Sequence, residues 1–194
     1  MWWHQNSPSY PLLSCADPAT VDARYQRRGQ PGVWYGSSKE RSAWAELFRH
    51  TYSPELSPFH IRRRVGRVRV TDLRVLDLTD PGTCAQLGVR ESDLTGDDYT
   101  RTQVFAALAY EASFDGVLAP SAALPGHQTL AVFAHVLADA SKIVAEHSRV
   151  QAPPVSLLDR LSQIRPIGPD AATVRAMFAR MVTLGKDAIR RLRG

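Results

Sequence analysis

Residues 32–50 read GVWYGSSKERSAWAELFRH, and this stretch decides how the fold begins. Its VWY run is β-prone and follows a Pro-Gly turn signal, so a short strand is predicted there. A serine then stands three residues before Glu40, which is the spacing of a capping box. Apolar residues recur at helical spacing at positions 43, 44, 47 and 48. The stretch therefore predicts a strand followed by a helix from about Lys39 to His50.

Glu46 occupies a distinctive position on this predicted helix. By the 100° advance per residue it falls on the border of the apolar stripe rather than on the fully solvated face. A carboxylate at such a border can face the rim of a cavity. His50 lies one turn later, but a pair without a third ligand is more often a helix surface contact than a metal site.

The rest of the chain mixes strand and helix signals without a regular βαβ repeat. Strands are predicted within 59–78, with a turn near Thr71, and at 116–119, 129–133 and 143–145. Helices are predicted at 81–87, ended by Gly88, and at 99–113, with apolar positions that include Val104, Phe105, Leu108 and Ala109. The predicted fold class is α+β, a mixed central sheet flanked by helices.

Length and composition favour a single domain over the whole chain, since 194 residues with 44% hydrophobic residues are too few for two ordinary domains. We expect an extended N-terminal arm over 1–20, a core over 20–150 and a Pro-rich loop over 151–169. The last segment, 170–193, has apolar residues at spacings of three and four and predicts an added C-terminal amphipathic helix.

The same composition excludes several protein classes. No window approaches the roughly 20 apolar residues of a membrane span, and the N-terminus lacks the pattern of a signal peptide, so a soluble cytoplasmic protein is expected. Cys15 and Cys84 are far apart and have no metal-type spacing. Neither a disulfide framework nor a metal site is predicted. Sequence motifs for phosphate loops, dinucleotide folds, zinc proteases and nucleophile elbows are absent.

The charge pattern favours an anionic ligand or partner. The formal net charge is +5, and arginines are dense at 24–28, 62–64 and 190–193. Arginine suits bidentate recognition of phosphate. Charge alone does not choose between nucleic acid, a phosphate-bearing ligand and an acidic protein.

Several short motifs occur in one order along residues 20–150. They are Ala23-Arg24-Tyr25, Gly32 to Ser37, Ala43-Trp44-Ala45-Glu46, Leu76 to Thr79, Gly96-Asp97-Asp98-Tyr99 with Gln103, Gly116 to Ala122, and Leu130 to Phe133. In this order the chain resembles the RES-domain family, named for an arginine, a glutamate and a serine. The resemblance implies a core similar to that of ADP-ribosyltransferase toxins.

The resemblance also implies an activity and a partner. Family members are toxins of type II toxin-antitoxin pairs that deplete cellular NAD by phosphorolysis or hydrolysis, and some transfer ADP-ribose to a protein. NAD would be the substrate, inorganic phosphate a possible co-substrate, and no metal would be needed. The implied partner is an antitoxin with a helix-turn-helix portion that covers the active-site cleft, so a hetero-complex or a homo-oligomer is expected.

Carried over residue by residue, the resemblance implies a catalytic set of Glu46, Arg24 and Ser121 and a cofactor-binding set of Arg24, Arg28, Tyr35 and Ser121. The family usually has a longer loop between its arginine and its tyrosine, so Arg28 is an alternative to Arg24. Cleavage of the nicotinamide-ribose bond develops positive charge on the ribose, which an anion such as Glu46 would stabilise. The arginines would bind the pyrophosphate. We therefore expect Glu46 to face them across a cleft.

Two alternatives to NAD degradation stay open at this stage. An ADP-ribosyltransferase that modifies a protein acceptor would use the same glutamate and arginine. A non-enzymatic basic module that binds nucleic acid would use the arginine clusters, although aromatic residues are not interleaved with them as single-strand binding requires. Direct binding of nucleic acid is therefore not expected.

Overall fold

The strand and the helix predicted from residues 32–50 both form in the computed structural model, which describes residues 1–50 and 60–154. The strands are β1 (Trp2–Asn6), β2 (Val33–Ser37), β3 (Arg63–Val70), β4 (Val75–Asp77), β5 (Gly116–Pro120), β6 (Gln128–Phe133) and β7 (Ile143–Gln151). The helices are α1 (Glu40–His50), α2 (Pro81–Leu87), α3 (Glu91–Thr95) and α4 (Thr100–Glu111), with a 3-10 helix at Ala134–Ala138.

The strands of the described residues form one mixed sheet in the order β4-β5-β6-β2-β1-β3-β7. Only β4 and β5 pair in parallel, and all other neighbours are antiparallel. The predicted fold class, α+β with a mixed central sheet flanked by helices, is confirmed. The two strands predicted within 59–78 also form, but they are not neighbours, since β3 pairs with β1 and β7.

Helices cover one face of the sheet in two groups. Trp44 and Phe48 of α1 pack with Val65 of β3 and Trp3 of β1. The second group packs on β5 and β6, where Phe105 of α4 is one of the buried residues. The opposite face is covered in part by the N-terminal loop and the 3-10 helix. Because both faces of β2 and β6 are covered, these strands are buried along almost their whole length.

The expected arm over residues 1–20 is wrong for its first part. Residues 2–6 form β1, which lies inside the sheet and pairs with β3 from Trp2 opposite Val68 to Asn6 opposite Arg64. The three prolines that suggested an arm, at positions 8, 11 and 18, all follow the strand. The core therefore begins before residue 20.

The other two helices of the described residues that the sequence predicts form at the expected positions, but not every apolar side chain of α4 is buried. Helix α2 ends at Gly88, which takes the left-handed conformation, with φ of 60°, that glycine adopts without strain. In α4, Phe105 and Ala109 are buried as expected. Val104 and Leu108 instead stay about half exposed, at 47% and 53%, because the buried side of α4 includes the polar residues Thr102 and Gln103.

Helix α3 has no counterpart in the sequence predictions, since five residues are too few for a helical period to emerge. The predicted C-terminal helix over 170–193 and most of the Pro-rich loop lie outside the described residues. Gln151, the first residue of the predicted loop, is the last residue of β7.

Candidate active site

A cavity of about 500 Å³ opens beside the central strands on the helix-covered face. Its walls come from β1, β2, β3 and α1, from the turn that carries Arg24, and from single residues of β5, β6 and the loops at Tyr99 and Ala122. Of the residues proposed from sequence, Arg24, Tyr35 and Glu46 line this cavity. The volume lies in the range of sites that enclose small organic ligands.

Glu46 projects from the middle of α1 to the cavity wall, as its place on the border of the apolar stripe predicted. Its side chain keeps 26% of its surface exposed. One carboxylate oxygen, Oε1, accepts a hydrogen bond of 3.1 Å from the Ser121 hydroxyl. The other, Oε2, lies 3.9 Å from Nε2 of His50, whose side chain is more than half exposed. The carboxylate is thus held on one side and open to the cavity.

Ser121 lies behind Glu46 rather than on the cavity wall. It is 2% exposed and follows β5 directly, between two residues that do line the cavity, Pro120 and Ala122. Its hydroxyl oxygen accepts hydrogen bonds from Leu124 N at 3.1 Å and from the Ser42 hydroxyl at 3.4 Å. With both acceptor positions in use, the hydroxyl hydrogen is directed at Glu46.

Arg24 reaches the cavity from the turn before β2. Its guanidinium stacks on the Tyr99 ring, with the central carbon 4.6 Å from the ring centroid. It donates to Leu94 O at 2.9 Å and to Gly96 O at 2.8 Å. A guanidinium carries five N–H donors, so the remaining ones are available to a ligand.

Helix α4 holds the turn that carries Arg24. The Thr102 hydroxyl donates to Arg24 O at 2.6 Å. Gln103 Nε2 donates to Asp22 Oδ1 at 2.7 Å and to Ala23 O at 3.0 Å. The buried polar residues of α4 therefore fix the position of the arginine, which explains why this side of the helix is not purely apolar.

Arg28 is placed differently. It is exposed and does not line the cavity. Of the two arginines that the sequence left as alternatives, the structure brings Arg24, and not Arg28, to the same cavity as Glu46.

Two tyrosines line the cavity beside Arg24. The Tyr35 hydroxyl accepts a hydrogen bond of 3.2 Å from Tyr25 N, and burial raises the pKa of both phenols, so both are neutral at ordinary pH. Tyr25 is 2% exposed, and its own hydroxyl has no hydrogen-bond partner among the described residues. Tyr25 belongs to the Ala23-Arg24-Tyr25 motif, but the sequence alone indicates no role for it. A buried donor without a partner on a cavity wall is a candidate contact for a ligand.

Arg49 is a further residue without a predicted role. It lies one turn from the site, is 3% exposed, and donates to Ala122 O and to Asp97 Oδ1, both at 2.7 Å. Burial is the largest effect on its pKa, which it lowers. The Gly96 to Tyr99 motif that the sequence singled out supplies the acidic partner. Arg49 therefore ties α1 to the two loops that carry Ser121 and Tyr99.

In the part of the chain that the structure describes, no group of three or more His, Cys, Asp or Glu residues could hold a metal ion. None of the helices in residues 1–50 and 60–154 is both long and apolar enough to cross a membrane.

The chain is similar to a known domain family and to proteins named as NAD(+) phosphorylases. Residues 2–157 match the family model of the RES domain. A probable NAD(+) phosphorylase of Mycobacterium tuberculosis is 54% identical over 192 residues, which cover 99% of this chain and 91% of the relative. The NAD(+) phosphorylase MbcT of Mycobacterium bovis is 39% identical over 59 residues, or 30% of this chain and 32% of MbcT.

A solved structure has the same fold. The crystal structure of the M. tuberculosis MbcT-MbcA toxin-antitoxin complex contains a chain that matches with a TM-score of 0.71 at 21% identity, over 83% of this chain and 88% of that one. The family match extends over most of the chain and includes the cavity with Arg24 and Glu46, together with Ser121, which bonds Glu46 from behind the cavity wall. The chain therefore belongs to the RES-domain family.

Proposed function

We propose that this protein cleaves the nicotinamide-ribose bond of NAD by phosphorolysis and acts as the toxin of a toxin-antitoxin pair. The observation that carries the proposal is the carboxylate of Glu46, hydrogen-bonded by Ser121, on the same cavity as the guanidinium of Arg24. The relative with 54% identity, named a probable NAD(+) phosphorylase, supports this choice of reaction. A cytoplasmic location is part of the proposal, because NAD is an intracellular cofactor.

The proposed chemistry follows from the charges of the substrate. The bond to nicotinamide breaks with its electron pair leaving on the ring nitrogen, and positive charge develops on the ribose. Glu46 would stabilise that charge, because a preorganised anion in a partly water-excluded cavity acts more strongly than it would in bulk water. Ser121 is a positioning residue in this scheme, since it contacts Glu46 and not the cavity.

Arg24 would bind the pyrophosphate with its remaining N–H donors. Its stacking on Tyr99 and its two hydrogen bonds to backbone carbonyls hold the guanidinium in one orientation before substrate binds. Such preorganisation reduces the entropy lost on binding. Tyr35 and Tyr25 would supply flat aromatic surface for the nicotinamide, and the hydroxyl of Tyr25 would supply a hydrogen bond.

The partner in this proposal is a cognate antitoxin. The structural relative is a toxin bound to its antitoxin, which supports a partner of this kind. An antitoxin that covers the cavity would block access to Glu46 and Arg24 together. A helix-turn-helix portion in that antitoxin stays a prediction.

The arrangement of the arginines gives no support to the nucleic-acid alternative. Arg24 and Arg63 line the cavity, whereas Arg64 donates to Pro8 O at 2.7 Å. Arg24, Arg63 and Arg64 thus have separate local contacts and do not share one basic surface. The cluster at 190–193 lies outside the described residues.

Product analysis tests the proposed function and separates it from its alternatives. The purified full chain is incubated with NAD, with and without inorganic phosphate, and nicotinamide is measured by chromatography while phosphorus NMR identifies the sugar product. Phosphorolysis predicts NAD loss that requires phosphate and a new anomeric phosphate ester. Loss without phosphate would indicate hydrolysis, and label from NAD retained on an added protein would indicate ADP-ribosyl transfer. No NAD loss in either buffer would refute the proposal.

A further inference from the structure

The cavity contains a second arginine that the scheme above does not use. Arg63 extends from β3 to the cavity wall and is partly buried. Its Nε donates to Gln5 Oε1 of β1 at 2.6 Å. Gln5 lies opposite Val65 in the β1 and β3 pairing, and Val65 packs against α1, so alternation along both strands directs Gln5 and Arg63 to the helix-covered face. The Gln5 contact orients the guanidinium and leaves its terminal N–H donors available.

Arg63 forms no ion pair with an acidic side chain of the described residues. Its pKa is lowered by burial. Neighbouring His4 adds no positive charge at neutral pH, because burial lowers its pKa to about 4. A partly desolvated guanidinium without a counter-ion favours an anion as its ligand.

The two arginines approach the cavity from different ends of the strand order, on the same face of the sheet. Arg24 is anchored to Leu94 and Gly96, next to α3, which packs on β5. Arg63 lies on β3, and in the strand order β2 and β1 separate β3 from β6 and β5. The cavity therefore offers two separate cationic ends, with Glu46 on the same cavity.

A phosphorolytic reaction needs two anion subsites, one for the pyrophosphate of NAD and one for inorganic phosphate. We infer that Arg63, oriented by Gln5, binds the inorganic phosphate that attacks the ribose. The inference rests on the proposed function and extends it by naming the co-substrate subsite. Pyrophosphate is the other phosphate oxyanion that could occupy this end, and the experiment below distinguishes the two.

The reaction balances with these groups. An oxygen of HPO₄²⁻ forms a bond to C1′ of the ribose, while the C1′–N bond breaks and its electron pair leaves on the nicotinamide nitrogen. That nitrogen loses its positive charge, so nicotinamide departs neutral and needs no proton. Arg63 would hold the phosphate through charge-assisted hydrogen bonds and would exchange no proton.

Titration of the full chain with inorganic phosphate tests the inference without relying on turnover. Phosphate binding is measured by calorimetry at fixed ionic strength for the wild type, Arg63→Ala, Arg63→Lys and the control Arg67→Ala. Arg67 is an exposed arginine of the same strand that does not line the cavity. In parallel, KM is determined separately for NAD and for phosphate. Melting temperatures establish that each variant is folded.

We expect Arg63→Ala to weaken phosphate binding and to raise KM for phosphate about ten- to hundred-fold, with KM for NAD nearly unchanged. Arg63→Lys should recover part of the loss, and Arg67→Ala should resemble the wild type. An increase only in KM for NAD would assign Arg63 to the pyrophosphate and overturn the inference. Equal effects of Arg63→Ala and Arg67→Ala, or no effect of either, would also overturn it.

The experiments can refute the proposed reaction and the phosphate subsite independently of each other. If the wild type binds phosphate through Arg63 but consumes no NAD, the subsite stands while the reaction is wrong. If NAD is consumed but phosphate affinity does not depend on Arg63, the reaction stands and the subsite is wrong.

Discussion

Replacement of Ser121 by alanine isolates the role of the hydrogen bond that holds Glu46. The change removes the donor to Glu46 Oε1 at 3.1 Å and the acceptor for Leu124 N. Ser121 does not line the cavity, so contacts between the cavity wall and a substrate are unaffected. We therefore expect the reaction rate to fall while substrate affinity stays nearly constant.

The magnitude follows from the kind of bond that is lost. A hydrogen bond to a charged group contributes about 1.5–3 kcal/mol. If that energy serves to hold Glu46 in its reactive orientation, kcat should fall roughly 10- to 100-fold. The buried Leu124 N–H loses its partner as well, at a cost of about 1–3 kcal/mol in the free energy of unfolding. Both effects should be visible in the same variant.

Steady-state kinetics with NAD, combined with urea unfolding, measures the two effects separately. The matched control is Ser42→Ala, because the Ser42 hydroxyl is buried and contacts Ser121 at 3.4 Å but has no bond to Glu46. Ser42→Ala should lower stability with little change in kcat, and Ser121→Thr should restore part of the activity lost in Ser121→Ala. A Ser121→Ala variant with unchanged kcat and a raised KM would falsify the positioning role, since it would place the serine in contact with the substrate.

Three further predictions address the same cavity. Glu46→Gln keeps an acceptor for Ser121 but removes the negative charge, so kcat should fall at least about 100-fold with the melting temperature little changed; a fully active variant would exclude Glu46 from the reaction. Arg24→Ala should raise KM for NAD about ten-fold or more, whereas Arg28→Ala should not, and the reverse result would transfer the role to Arg28. Burial lowers the pKa of His4 from 6.5 to about 4, so the unfolded chain binds a proton that the folded protein does not bind between these values. Stability should therefore fall by up to about 3 kcal/mol as the pH decreases from 7 to 4, and urea titrations of His4→Gln should show a weaker dependence on pH than the wild type.

Secondary-structure features that depend on residues close in sequence are predicted well from the sequence. The strand and helix of residues 32–50 follow from local β propensity and helical periodicity. The end of α2 follows from the left-handed conformation that Gly88 adopts. The position of Glu46 on a cavity wall follows from the same periodicity, because one helical face fixes which side chains border the core.

Features that depend on distant pairing were not predictable in the same way. Strand β1 reads as an irregular polar arm, since its alternation is hidden by Trp2 and Trp3 in succession and its partner β3 begins nearly 60 residues later. In α4, the apolar residues Val104 and Leu108 are about half exposed, which helical periodicity alone does not predict. There, tertiary hydrogen bonds of Thr102 and Gln103 to the turn that carries Arg24 determine which side is buried.

Sequence and fold together explain the role of Ser121. The sequence predicts a serine directly after a strand, but only the fold brings this serine within hydrogen-bonding distance of Glu46, 75 residues away along the chain. Arg49, one turn after Glu46, donates to Ala122 O, directly after Ser121. The helix thus contacts two consecutive residues of the loop through two of its own side chains, one turn apart. Two such contacts restrict both rotation of α1 and displacement of the loop, so the orientation of the carboxylate is a property of the helix and loop together, and Arg49 stabilises a geometry that Ser121 alone would hold only in part.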